Sequence, residues 1–404
     1  MGKYVNKFLA LILVSLRAIT PKNERVAIVA PSPPGSIGDE ALLEGMTNLV
    51  SQHGMEFDEI LLYPNIEPYN KLEGYNKAIN FKYSGRLSLF FLAIKLIRHK
   101  SLYIIGADCL DGRYSAHMIK TWIAISDFAV SIGLPANIVS FSFSKHPNKQ
   151  TVNVLKNSDA RIRFAARDYF SQQRFIDYTK KECLLVADLG FSMPPSIKSI
   201  SAVETLKWIN TCKNEKNAIL VGLNINPLPL LVSEEVDLAV SIEDVATNYA
   251  LALNQLLDEN RNIYVIGLPH DIREGQSDYD ILELTKAQVE KKDRFEILKP
   301  PFSAADIKGI AGHMDLVISG RMHLAIAALS QAIPTYCVVY LNKFEGLMRH
   351  FDLEDNLAPT SIINQSSKIY SFLVSSIDER QHQLIEIPKK IKQVKSLSIL
   401  NFDN

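Results

Sequence analysis

From position 25 onward, short apolar runs alternate with longer stretches in which apolar residues recur every three or four positions. A parallel sheet wrapped by helices reads this way, because its strands are buried on both faces and its covering helices are amphipathic. In the first half, strands are predicted at 26–30, 60–63, 102–105, 138–143, 162–165 and 184–187, with helices at 40–52, 87–98, 116–132 and 170–178. The rhythm breaks over 190–201, where Gly190 and the adjacent Pro194 and Pro195 interrupt it. It restarts with strands at 218–223, 263–268, 295–298, 316–318 and 335–339, and helices at 245–258, 279–290, 304–312 and 322–332. Past Phe351 the chain is rich in Ser, Lys and Gln, and apolar spacing at 369–377 and 384–399 predicts long surface helices that cross back over the first half.

A chain of 404 residues exceeds what one core usually serves, so two domains are expected. The predicted organisation is an apolar and basic segment at 1–24, a Rossmann-like α/β domain at 25–189, a linker at 190–201, a second Rossmann-like domain at 202–355 and a helical tail at 356–404. Two parallel-sheet domains facing a cleft would bind ligands at the carboxyl ends of their strands.

Lys+Arg and Asp+Glu each count 44, so no global field attracts nucleic acid, and an anionic ligand must be held by local charges. Cys109, Cys183, Cys212 and Cys337 are too scattered for a disulfide framework or a zinc site; packed thiols and a reducing, cytoplasmic setting are expected. No metal or cofactor is called for. The apolar run at 8–16 is shorter than the roughly 20 residues of a membrane span. It reads as a packed or peripheral helix, with a weak contact to the inner membrane surface as the sharper alternative.

Five loops at predicted strand ends carry candidate chemistry. Gly38 and Asp39 follow the first strand and open a helix; Asp39 would repel a phosphate there, so hydrogen bonding to sugar hydroxyls suits it better. Asp108 ends the 102–105 strand and could accept a proton from an attacking hydroxyl, although Asp is also a common turn former. Arg167 offers a bidentate fork, or pairs with Asp168 or Asp188 at the surface. His270 stands just past a strand, where an imidazole can act as acid or base, and Asp278 is placed to cap the next helix. The sharpest segment is Ser319, Gly320, Arg321, Met322 and His323, a strand end turning into a helix. A cation normally avoids a helix start, so its presence there points to an anionic ligand. Lys343, after the last strand, could reach the same anion.

Taken together these segments resemble the polysaccharide pyruvyl transferase family. The match is best over 301–353, through Asp315, the Ser319 to His323 segment, Pro334, Tyr340, Lys343 and Gly346. Gly38-Asp39, Arg167-Asp168 with Ser171, and Pro269-His270 with Ser277-Asp278 agree in order and spacing. Two departures are Ser36, where an asparagine is usual, and Gly106-Ala107-Asp108 in place of a glycine-rich turn. The resemblance implies a glycosyltransferase-B-like pair of domains, with the acceptor on the 25–189 side and the donor on the 202–355 side. It implies phosphoenolpyruvate as donor and a surface or capsular saccharide, free or linked to lipid or nucleotide, as acceptor. By similarity Arg167, Arg321 and His323 hold the donor and Asp108 lies near the acceptor, which makes His323 the acid, Asp108 the base and His270 the alternate acid. Two rivals keep the fold: a glycosyltransferase using a nucleotide sugar, and a non-catalytic saccharide-binding component. Oligomeric state is not legible.

Overall fold

The computed structural model describes every residue except 1, 32–35, 63–67, 70, 228–239, 276, 340–343 and 403–404, and gives the backbone alone for 2–10 and 86. The chain forms two compact units, one of Met1–Pro34, Leu42–Met193 and Ser396–Asn404, the other of Gly35–Ala41 and Pro194–Lys395.

The first unit is a seven-stranded sheet in the order β3-β2-β1-β4-β5-β6-β7, every pairing parallel. Its strands are β1 (Arg25–Val29), β2 (Glu56–Leu61), β3 (Tyr75–Asn80), β4 (Leu102–Ala107), β5 (Ala136–Phe141), β6 (Arg163–Ala166) and β7 (Leu184–Leu185). Its helices are α1 (Gly2–Ile19), α2 (Ile37–Gln52), α3 (Arg86–Leu96), α4 (Ala116–Ser131), α5 (Lys149–Lys156) and α6 (Tyr169–Thr179). The first turn of α2, through Ala41, is counted in the second unit. Alternate residues of one strand enter opposite cores: Ala27, Val29, Leu102 and Ile104 on one face, Val26, Ile28, Tyr103 and Ile105 on the other. That period of two, with apolar residues in both phases, explains the continuous apolar runs.

The second unit repeats the plan with six parallel strands in the order β10-β9-β8-β11-β12-β13. They are β8 (Ile219–Leu223), β9 (Ile263–Gly267), β10 (Phe295–Ile297), β11 (Leu316–Ser319), β12 (Thr335–Val339) and β13 (Leu357–Pro359). The helices are α7 (Ile200–Lys216), α8 (Ile242–Glu259), α9 (Asp278–Gln288), α10 (Ala304–Ala311), α11 (Met322–Leu329), α12 (Phe344–Arg349) and α13 (Ser366–Ile399). In both sheets the strand order reverses beside the first strand, between β1 and β4 and between β8 and β11, which is the Rossmann arrangement.

Several elements depart from the sequence expectation, among them α5, α7 and α12, for which no helix was predicted. β2 begins at Glu56 rather than at 60, because its carboxylates are buried with partners: Asp58 accepts from Asn76 at 2.5 Å and sits 3.0 Å from His99 Nε2, while Glu59 accepts the Tyr69 N–H at 2.9 Å. β3 and β13 are edge strands, one polar and one three residues long, with too little apolar signal to be read. α13 runs unbroken for 34 residues through Pro388, where two helices were expected. Its polar middle is no gap, since buried Gln383 accepts the Thr335 N–H of β12 at 2.8 Å.

Candidate functional site

The reversal of strand order in the second unit fixes where a site can form, because loops leaving β8 and β11 diverge and open a crevice at their carboxyl ends. Asn224 and Asn226 follow β8, His270 and Asp271 follow β9, and Ser319 ends β11. The turn from β11 into α11 is tight. Ser319 Oγ accepts the Arg321 N–H at 3.0 Å and donates to the Arg321 carbonyl at 2.7 Å, so this hydroxyl shapes the turn. Asn226 donates to the Gly320 carbonyl at 2.8 Å. A Cβ at position 320 would lie 2.7 Å from that of Asn226, which is why glycine occupies it.

Arg321 occupies the cap position of α11 and makes no side-chain capping bond. The other described helices of this unit around the site start differently: Ser277 caps α9, and Ser241 and Ser303 form capping boxes with Asp244 and Asp306 on α8 and α10. Asp278 is thus not the cap expected from the sequence. It is fully buried in the first turn of α9 and gathers the site, accepting from Arg321 Nη2 at 2.7 Å, from Arg321 Nε at 3.1 Å, from Asn224 at 2.9 Å and from the His270 N–H at 3.0 Å. Asp271 adds a second carboxylate 3.4 Å from Arg321 Nη1 and also binds Arg273. The cation at this helix start, which the sequence linked to a ligand, therefore has carboxylate partners within the protein. Burial pushes the Asp278 carboxyl up, against the pull of Arg321 and the hydrogen bonds of Asn224 and His270.

His270 is buried, and its pKa falls well below 6.5 because of that burial and of the nearby His323 and Arg321. It is a neutral imidazole near pH 7, a poor proton donor and a good hydrogen-bonding partner. The His323 ring lies nearly parallel to it, centroids 6.4 Å apart and planes at 18°. His323 is half-buried and also packs on Gly38, where a Cβ would stand 2.3 Å from His323 Nδ1. Ser36 forms an antiparallel bridge with Asp271, and Glu40 accepts the Ala304 N–H at 3.0 Å, which ties the start of α2 to this unit. Burial pushes the Glu40 carboxyl up; the Ala304 bond lowers it and the Asp306 charge raises it. Asp39 is half-buried in the same turn, its N–H approaching Ser36 Oγ at 3.4 Å.

The remaining expected residues lie on the first unit or outside the described residues. Arg167 is buried at the end of β6, and its guanidinium donates to Ser142 Oγ at 2.7 Å and to Asp188 at 3.0 Å, so of the two carboxylates weighed from the sequence it takes Asp188, in the interior rather than at the surface. Asp168 instead caps α6 through the Ser171 N–H at 2.8 Å. Asp108, half-buried after β4, accepts from the Tyr114 hydroxyl at 2.9 Å. Lys343 falls outside the described residues. Burial pushes the Cys183 thiol up to about 12, and Cys337 higher still, so neither is poised as a nucleophile. Among the described residues no group of three or more His, Cys, Asp or Glu could hold a metal ion, and no helix is long and apolar enough to cross a membrane. Sequence reasoning missed Asn224 and Asn226 and gave Asp271, next to His270, no role; polar residues just past two strand ends beside the reversal were the available signal.

Two Rossmann-type domains with this strand order define the glycosyltransferase-B class of folds. UDP-GlcNAc 2-epimerase from Neisseria meningitidis, bound to UDP-GlcNAc, superposes with a TM-score of 0.53 at 9% identity, covering 93% of this chain and 99% of that one. Anabaena Alr3699/HepE, in complex with UDP and glucose, gives 0.54 at 12% identity over 93% and 95%. S. aureus MnaA with UDP gives 0.51 at 13% identity over 94% and 92%. Identities this low establish the fold alone. No curated protein matches the chain by sequence. The family model for polysaccharide pyruvyl transferase does match, over residues 37–342, and the chain belongs to that family of transferases.

Proposed function

We infer that this protein transfers the enolpyruvyl group of phosphoenolpyruvate to a sugar of a surface or capsular polysaccharide, or of its precursor, in the cytoplasm. The reaction forms a pyruvate ketal and releases inorganic phosphate. The observation that carries this reading is the convergence of Gly38, His270, Asp278, Arg321 and His323 at the strand reversal of the second sheet. The donor is a small dianion or trianion. The N–H groups opening α11 have no intrahelical acceptor, and the helix dipole adds positive potential there. Arg321, fixed by Asp278, supplies a cation that need not reorganise when the donor arrives.

Ketal formation needs a proton on the enol methylene, which creates a cation at the adjacent carbon. A first sugar hydroxyl captures that carbon and loses its proton; the carbon–oxygen bond to phosphate then breaks; a second hydroxyl completes the ketal. His323 serves as the acid that protonates the methylene and is restored by the proton of the second hydroxyl. His270, neutral and buried, supports the His323 ring rather than acting as the acid. Asp108 is the proposed base for the first hydroxyl.

Incubation with phosphoenolpyruvate and a panel of saccharide acceptors, followed by mass analysis and phosphate determination, tests this. The expected result is a pyruvate ketal with equimolar phosphate. Products bearing an added sugar, with nucleotide released from nucleotide-sugar donors, would assign the chain to the glycosyltransferase reading instead.

A further inference from the structure

We propose that the first unit docks on an anionic membrane surface through the outer faces of α1 and α3, whatever reaction the second unit supports. Apart from Arg86, Ser88 and Lys95, α3 is apolar. Leu89, Leu92, Ala93 and Leu96 fill the core, while Leu87, Phe91 and Ile94, spaced i, i+4, i+7, form a second stripe that stays exposed, Leu87 at 64% and Phe91 at 56%. A helix with two apolar stripes is normally covered on both. α1 packs against α3 and repeats the pattern, with Leu13 in the core and Leu11, Val14 and Ile19 exposed, Ile19 at 79%. α1 is firmly seated rather than loosely appended: Arg17 donates to the carbonyls of Ile97 at 2.7 Å, His99 at 2.9 Å and Gly133 at 3.1 Å, closing the ends of α3 and α4.

Charge selects the occupant. Residues 1–23 hold four Lys or Arg and residues 74–107 hold six, and neither stretch contains a single Asp or Glu, in a chain whose total charge is zero. Lys95 and Arg98 are exposed beside the α3 stripe. An apolar face flanked by the exposed cations Lys95 and Arg98 matches a bilayer surface with anionic headgroups, where each basic residue near the surface strengthens binding about fivefold at low salt. A second copy of the same face would bring like charges together. No described helix is long and apolar enough to span, so the face lies on the bilayer and does not cross it.

Flotation of the 404-residue chain with phosphatidylcholine vesicles containing a third phosphatidylglycerol tests this, against vesicles of phosphatidylcholine alone. Wild type is expected to float with the anionic vesicles, much less with the neutral ones, and to be released by high salt. Leu87→Ser/Phe91→Ser/Ile94→Ser is expected to remain folded by circular dichroism, because these side chains are exposed, and to lose flotation. Lys95→Gln/Arg98→Gln is expected to bind anionic vesicles at least tenfold more weakly. Wild type left unbound by either vesicle would overturn the proposal, as would a concentration-dependent dimer that the triple substitution dissolves without any vesicle binding.

Discussion

Gly38 shows how one residue type can be dictated by a residue nearly three hundred positions away. The space a side chain would need is filled by the His323 imidazole, 2.3 Å from the ideal Cβ position. Gly38→Ala is therefore expected to displace that ring and lower kcat at least tenfold, while His323→Ala makes room. A double-substitution cycle read by thermal unfolding checks this: the cost of Gly38→Ala should largely vanish in the His323→Ala background. Equal cost in both backgrounds would mean the contact is not what excludes a side chain. His270 gives a pH dependence with a definite sign. In the unfolded chain it titrates near 6.5, in the fold well below, so the unfolded state takes up the extra proton first as pH falls. The stability its neutrality contributes is present above 6.5 and is lost below it. As pH falls below 6.5, wild type should lose stability more steeply than His270→Asn, measured by denaturant midpoints at successive pH values. Arg321, His323 and His270 were legible in the sequence because each follows a strand-like run. Asn224 and the role of Asp271 were not, since only strand order shows that the ends of β8, β9 and β11 adjoin.

Among the elements, helix starts separate scaffold from candidate site. α10 begins with a capping box in which Ser303 Oγ and Asp306 each accept the other's backbone N–H, and Asp306 also accepts from Lys198 and Ser199. Ser303→Ala should cost about 1 kcal/mol, as loss of an N-cap usually does, without changing donor affinity. A comparison of unfolding midpoints and of phosphoenolpyruvate titrations in the same preparation checks both halves. α11 has no such cap, and its start is where the donor is proposed to bind. Most strands were legible from their apolar runs. β3 was hidden because an edge strand with one buried residue, Ile79, carries no alternation worth reading, and β13 because three residues are too few. β2 was half hidden: Asp58 and Glu59 are buried against the usual rule, and burial pushes Glu59 to about 7.

For the whole molecule, the balanced composition excluded a long-range field, and the structure shows how charge is instead organised locally. The segments of α1 and α3 carry cations and no acids, while at the second strand reversal Arg321 is matched by the buried carboxylates of Asp271 and Asp278. This matching complicates any single substitution. Arg321→Ala alone strands Asp278 in the interior, and breaking a buried pair from one side costs roughly 3–5 kcal/mol. Arg321→Gln/Asp278→Asn removes both charges at similar volume and so isolates the effect on the ligand. Calorimetric titration of phosphoenolpyruvate into the wild type and into this double variant is the most direct test. The account predicts saturable binding by the wild type and at least tenfold weaker binding by the variant at an unchanged unfolding midpoint; equal affinity in the two proteins would contradict it.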